Sequence, residues 1–171
     1  FEDRSLLSLG HQLHRAQKLP MGALGHALPA PEQVPGAEDP PGAVSVAVLG
    51  AHMSGLPLNH ELTNLGGRFV RKDRTAARYR LFALPNVSPA KPGLVRVAPG
   101  HGIDLEIWRL PVGSFGTFVA GIPAPLAIGK IELASGDHIA GFLCESYAIE
   151  GAKDISELGG WRRYLEAARA G

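Results

Sequence analysis

The stretch VSVAVLGAHMSGLPLNHEL, residues 44–62, places an apolar segment directly before a loop that contains two glycines. The segment Val44 to Leu49 reads as a central strand that is buried on both faces. Gly50 and Gly55 permit backbone angles that are closed to other residues, and Pro57 suits the first position of a short helix, PLNHEL. The stretch therefore predicts a strand, a sharp turn and a helix, in that order.

Further short strands broken by glycine and proline follow this stretch. RFVRK and RYRLFAL read as strands, and apolar and polar residues alternate from Ile103 to Trp108 as in a half-buried strand. The segment IGKIELASGDHIAGFLCESYAI predicts a hairpin that turns at ASGD.

Two helices are predicted in the second half of the chain. PVGSFGTFVAGI has one apolar helical face and begins at Pro111. Asp154 and Glu157 form a capping-box pattern ahead of a helical stripe that contains Trp161, Tyr164, Leu165 and Ala168. Together with the strands, these helices predict a compact α+β domain with a closed or partly closed sheet.

The chain divides near residue 40. Residues 28–43 are polar and contain five prolines, so we expect a linker there. Residues 1–27 include an amphipathic helix that needs a partner, and residues 44–171 form the main domain. Because the chain opens FEDRSLL, without an initiator methionine or a signal-peptide pattern, we expect it to be a piece of a longer polypeptide.

Composition narrows the class of partner. Seventeen basic and 16 acidic residues give a formal net charge of +1, which favours neither nucleic acid nor an acidic membrane surface. Cys144 is the single cysteine, which excludes an internal disulfide, and no apolar run is long enough to cross a bilayer. We expect a cytoplasmic protein that binds a small molecule or another protein.

The loop after the first strand is the candidate site. Its amides and the start of the following helix would form a cradle for a carboxylate, with His52 at the rim to exchange protons near neutral pH. The alternative is that His52 is a hydrogen-bonded turn residue and that the glycines only serve the turn. His60 lacks metal-ligand spacing from His52, and no Cys/His cluster occurs, so we expect neither a metal nor a cofactor.

Several long strings resemble one family. VAVLGAHMSGLPLNHELTNLGGRFV, TAARYRLFALP, KPGLVRV, LEIWRLPVGSFGTFVAGIPAPLAIGKIEL and GFLCESYAIEGAKDISELGGWRRYL are similar to the C-terminal domain of allophanate hydrolases, over roughly Val44 to Leu165. FEDRSLLSLGHQLHRAQKLPMGA resembles the tail of the amidase domain of those enzymes. The segment that carries an amidase's serine nucleophile and lysine is absent, so we expect no amide hydrolysis by this chain.

The resemblance implies a gamma-glutamyl cyclotransferase-like fold, a small mixed β-barrel with a few short helices, in which GAHMSG would be the carboxylate-binding loop. Cyclotransferases use an acidic general base, but residues 111–131 contain no Asp or Glu, so an acid from outside that window, Glu106 or Glu145, would have to be recruited. The activity implied instead is a step in urea degradation and nitrogen metabolism. There the amidase domain of the same polypeptide leaves N-carboxycarbamate, and the C-terminal domain speeds its decarboxylation.

The resemblance also assigns roles to residues. His52 would be the catalytic proton-handling group, and the loop residues Gly50, Ala51, Met53, Ser54 and Gly55 would hold one carboxylate. Asn59 would orient the loop or the substrate. The second carboxylate needs a cation or several donors: either Arg78 and Arg80 on one face of RYRLF or Tyr79 on the other face would bind it, with Arg71 as a further candidate.

A second hypothesis comes from another class of function. The domain would be a non-catalytic assembly module that dimerises or positions the amidase, and its loop would be a relic of a carboxylate site. In either case we expect a homodimer in the full enzyme. The intact GAHMSG loop favours the enzyme, whereas the missing acid in residues 111–131 and the unpartnered leucine helix in residues 1–27 favour the assembly module.

Overall fold

The computed structural model describes residues 42–170. The expected helical tail, residues 1–27, and all but the last two residues of the expected linker lie outside this range. Within it the strands are β1 (Ala43–Val48), β2 (Arg68–Arg74), β3 (Tyr79–Ala83), β4 (Pro92–Arg96), β5 (Asp104–Pro111), β6 (Leu126–Glu132), β7 (His138–Cys144) and β8 (Lys153–Asp154). The α-helices are α1 (Asn59–Asn64), α2 (Val112–Ala120) and α3 (Trp161–Ala170), and short 3₁₀ turns occupy Ser146–Ile149 and Ser156–Leu158.

The strands form two sheets. A five-stranded mixed sheet has the order β2-β5-β1-β7-β6, with β1 antiparallel to β5 and parallel to β7. A three-stranded sheet has the order β4-β3-β8. The α+β class is therefore confirmed. Among the described residues the sheet is not a closed barrel, because its edge strands β2 and β6 meet only at their ends, through an isolated bridge between Thr75 and Leu133.

The first strand lies at the centre of the larger sheet, as its sequence predicts. Val46, Ala47 and Val48 have no exposed surface, since neighbouring strands pair with both sides and apolar side chains cover both faces. The loop that leaves this strand therefore starts from a fixed point in the core.

β5 differs from the half-buried strand that its alternation predicts. Glu106 is 2% exposed and Trp108 is 5% exposed, so the face that carries both residues is buried. β5 lies between β1 and β2, and groups from the Gly50–Gly55 loop and from α3 cover the Glu106 carboxylate. The prediction failed because the covering groups are distant in sequence.

The helices form where the sequence predicts them, but the structure differs from the prediction at the start of α1 and in the cap ahead of α3. α1 begins at Asn59 rather than at Pro57, because the Leu58 amide still donates to the Ala51 carbonyl at 2.9 Å and keeps that segment in a turn. Asp154 lies at the end of β8 and caps the Ser156 amide at 2.9 Å, in place of the predicted capping box. α2 after Pro111, the β6–β7 hairpin and α3 form as predicted.

Candidate functional site

The loop from Gly50 to Gly55 connects β1 to α1 through a series of tight turns. The Met53 amide donates to the Gly50 carbonyl at 3.0 Å, and the Leu56 amide donates to the Met53 carbonyl at 3.0 Å. Gly55 has a φ of 72°, a left-handed conformation that favours glycine. These turns fix the loop against the end of the central strand.

Gly50 brings the loop against the start of β4. A Cβ at this position would lie 2.6 Å from Cδ and 2.9 Å from Cγ of Pro92. No side chain larger than glycine's hydrogen fits there without moving one of the two segments. The first glycine of the loop is therefore required by close packing.

His52 lies in an apolar setting at the middle of the loop. It is 9% exposed, its ring stacks on Phe142 at 5.0 Å between centroids, and Phe118 packs edge-on at 5.4 Å. The side-chain amide of Asn59 donates to the His52 carbonyl at 2.8 Å. Asn59 thus orients the backbone of the loop, as one part of its predicted role requires.

The His52 ring has one carboxylate partner in the described part of the chain. Nε2 lies 2.8 Å from Oε2 of Glu61, whose side chain is 46% exposed. Burial lowers the pKa of His52 below its ordinary value of 6.5, although the hydrogen bond and the charge of Glu61 act to raise it. The ring is therefore neutral near pH 7, and Nδ1 has no hydrogen-bond partner among residues 42–170.

The loop amides divide into two groups. Those of Met53 and Ser54 already donate within the fold, to Gly50 and to Glu106 respectively. Those of Ala51, His52 and Gly55 form no hydrogen bond with any residue that the structure describes. The Met53 and Ser54 amides are therefore not available to bind a carboxylate. The amides of Ala51, His52 and Gly55 remain available.

Glu106 anchors the loop, whereas the sequence indicated it only as an acid that could be recruited as a general base. Its Oε2 accepts from the Ser54 amide at 2.7 Å, from the Ser54 hydroxyl at 2.8 Å and from Trp108 Nε1 at 3.2 Å. Its Oε1 accepts from Arg162 Nη2 at 2.8 Å, and the same Nη2 donates to the Ser54 carbonyl at 2.6 Å. The network ties the residue two positions after His52 to β5 and α3.

The hydrogen bonds keep this carboxylate ionised. Burial acts to raise the pKa of Glu106, but the bonds from Ser54, Arg162 and Trp108 outweigh it, so the net shift is downward. No sequence pattern marks such a residue, because alternation places it on the strand's polar face.

Tyr79 and Arg80 are engaged away from the loop. Tyr79 is fully buried, and its hydroxyl accepts from Arg96 Nη2 at 2.7 Å and from the Glu132 amide at 2.8 Å. Arg80 forms an exposed ion pair with Asp154. The structure thus does not bring these two predicted residues to His52, and Arg71 likewise pairs with Asp73.

A groove of about 440 Å³ lies beside the Glu106 network rather than at His52. Its lining includes Met53, Lys72, Asp104, Arg162 and Glu166. Across residues 42–170, no three His, Cys, Asp or Glu side chains are grouped as a metal ion would require. No helix in this range is long and apolar enough to span a membrane.

The mixed sheet and the histidine loop at the end of its central strand define a known class of domain. Residues 44–166 match the family described as the allophanate hydrolase C-terminal domain, and the chain belongs to that family. It is 42% identical over 144 residues to the urea amidolyase of Saccharomyces cerevisiae, which confirms the resemblance seen in the sequence. The alignment covers 81% of this chain and 8% of that protein, so the chain corresponds to a small part of a much longer polypeptide.

Solved structures agree. The allophanate hydrolase of Kluyveromyces lactis has a TM-score of 0.71 and 40% identity, over 74% of this chain and 21% of that chain. A uropathogenic E. coli-specific protein has a TM-score of 0.68 and 45% identity, over 72% of this chain and 96% of that one.

Proposed function

We propose that this domain binds a small dicarboxylate at the Gly50–Gly55 loop and speeds the decarboxylation of N-carboxycarbamate in urea degradation. The observation that carries the proposal is the His52 ring: it is buried between Phe118 and Phe142, neutral near pH 7, and flanked by amides without partners among the described residues. An amidase domain of the same polypeptide would supply the substrate. We expect the full enzyme to be a cytoplasmic homodimer.

The reaction requires one proton at a defined atom. N-carboxycarbamate carries two carboxylates on one nitrogen. When the bond from one carboxylate carbon to nitrogen breaks, carbon dioxide leaves and the electron pair stays on nitrogen. That nitrogen takes up one proton, and carbamate is the product. A group that delivers the proton as the bond breaks lowers the barrier to this step.

His52 suits this delivery because its charge state responds to the substrate. The free site holds a neutral ring, since burial lowers the pKa of His52. A dianion bound beside the ring would favour the imidazolium and so raise that pKa on binding. Glu61, half-exposed and in contact with Nε2, links the buried ring to solvent for proton uptake. Nδ1 is then the nitrogen available to donate to the substrate.

The loop backbone supplies the second requirement, a fixed carboxylate. The amides of Ala51, His52 and Gly55 are free of partners in the described range, and Ala51 and His52 are buried. An amide that donates to a shielded carboxylate contributes about 1.5–3 kcal/mol to binding. Holding one carboxylate leaves the other beside His52.

Binding is tested with malonate, a stable dicarboxylate with one atom between its carboxyl groups. We expect a titration of the full 171-residue chain to shift the NMR signals of the His52 ring and of the Ala51 and Gly55 amides. His52→Ala should abolish the shifts of the two amides, whereas His138→Ala, which removes an exposed histidine on β7, should not. Absence of shifts at millimolar malonate would overturn the proposal and favour the assembly module.

A further inference from the structure

Lys91 lies at the point where β4 meets the histidine loop. It directly precedes Pro92, the residue that packs against Gly50 at the start of the loop. Its carbonyl accepts the Leu84 amide at 3.1 Å, which closes the connection between β3 and β4 and fixes the Lys91 backbone. Lys91 itself is partly buried. Lys91 therefore lies one residue from the contact between Pro92 and the loop, with its backbone held by the bond to Leu84.

The strand behind His52 meets the same end of β4. A Cβ at Gly93 would lie 2.8 Å from Sγ of Cys144 at the end of β7, so β4 and β7 are closely packed. Phe142, two residues earlier in β7, stacks on the His52 ring. The loop, β7 and the start of β4 thus converge on one region that contains His52 and Lys91.

The charge of Lys91 reaches the His52 ring. The positive charge of Lys91 lowers the pKa of His52. Its ammonium group forms no ion pair or hydrogen bond with another residue in that range, whereas Arg71, Arg80 and Arg96 are each paired with a carboxylate. An ammonium group without a partner, whose charge acts on a neutral ring, favours an anionic ligand bound between the two.

We propose that Lys91 binds the second carboxylate of the dicarboxylate held beside His52, and so makes the site select dicarboxylates over monocarboxylates. This inference rests on the proposed function. The loop amides hold one carboxylate, and Lys91 takes the role that was predicted for Tyr79 or Arg80. A cation opposite the amides also compensates the second negative charge, which the amides alone would leave in a poorly solvated site.

The test compares malonate and acetate affinities across a matched set of variants, by NMR or calorimetric titration of the full chain. For Lys91→Met we expect malonate affinity to fall about tenfold or more, while acetate affinity stays within about twofold. Lys91→Arg should keep malonate affinity within about threefold, because it retains the charge. Lys130→Met, which removes an exposed lysine from β6, should change neither affinity.

The outcomes separate this inference from the proposed function. If the parent chain binds malonate at the His52 loop but Lys91→Met binds it equally well, the role of Lys91 is wrong and the proposed function stands. An equal loss of acetate and malonate affinity in Lys91→Met would also refute the role, because it would indicate damage to the loop rather than loss of one carboxylate contact. If the parent does not bind malonate, both proposals fail.

Discussion

Glu61 Oε2 lies 2.8 Å from Nε2 of His52, so a carboxylate at the surface of α1 contacts a ring that is packed between two phenylalanines. This contact links the buried end of the site to solvent. It also leaves Nδ1 as the ring nitrogen without a partner in the described range, because a bond at one nitrogen sets the role of the other.

Replacing Glu61 should shift the titration of His52. Glu61 raises the pKa of His52 through a hydrogen bond and through its charge, against the larger lowering by burial. Glu61→Gln removes the charge, so the pKa of His52 should fall further below that of the parent. Ring proton shifts followed by NMR against pH measure it, with Glu157→Gln as a control at an exposed position. An unchanged or raised pKa in Glu61→Gln would contradict the assignment.

Replacing Lys91 should move the same titration in the opposite direction. The charge of Lys91 lowers the pKa of His52, so Lys91→Met should raise it in the absence of any ligand. Lys130→Met serves again as the control. If Lys91→Met left the titration of His52 where it is in the parent, Lys91 would not lie within electrostatic reach of the ring.

The buried histidine should also make stability depend on pH. The pKa of His52 is below 6.5 in the folded chain and has its ordinary value of 6.5 in the unfolded chain. Between these two pKa values the unfolded chain therefore binds more protons than the folded chain. The contribution of His52 to stability is therefore complete above pH 6.5 and is lost as the pH falls below it. Urea unfolding at pH 8 and pH 5 should show that the stability of the parent relative to His52→Gln is greater at pH 8. Equal differences at the two pH values would show that His52 is not titrating as described.

Glu106 should stabilise the folded chain and hold the Gly50–Gly55 loop in place. Glu106→Gln removes the charge that pairs with Arg162 and leaves an amide group facing the Ser54 donors. We expect a loss of about 2–4 kcal/mol in the free energy of unfolding. Urea denaturation measures this, with Glu145→Gln as an exposed control. A loss below about 0.5 kcal/mol would mean that the carboxylate does not anchor the loop.

Two glycine substitutions should have opposite effects. Gly50→Ala places a methyl group within 3 Å of Pro92 and should destabilise the chain by about 1–3 kcal/mol. Gly116→Ala adds a methyl group in open space within α2 and should stabilise it by about 0.5–1 kcal/mol. Thermal unfolding of the two variants tests the close approach of the loop to β4. Equal stabilities would show that the two segments are not in contact.

The sequence predicted most elements because their signals are local. The apolar run of β1, the ASGD turn and the stripe of α3 each specify an element without reference to distant residues. The arrangement of strands in two sheets was not predictable in this way. It depends on pairings such as β1 with β5 and β3 with β8, which join segments that are far apart in the chain.

The site was predictable only in part, for the same reason. His52 and Asn59 lie in one short stretch, and the sequence pointed to both. Glu61 lies in that stretch too, but only the fold shows that it contacts the ring. Glu106 and Lys91 come from β5 and from the start of β4, and nothing in their local sequence indicates that they reach the loop.

The most direct test of the proposed function is the rate of carbon dioxide release from N-carboxycarbamate, generated from allophanate by an excess of a separate amidase. We expect the full chain to accelerate release over the spontaneous reaction. His52→Ala and His52→Gln should each lose at least about 100-fold of that acceleration, the scale of general acid–base catalysis. His138→Ala should retain it. Decarboxylation as fast with the folded His52 variants as with the parent would contradict the role given to His52.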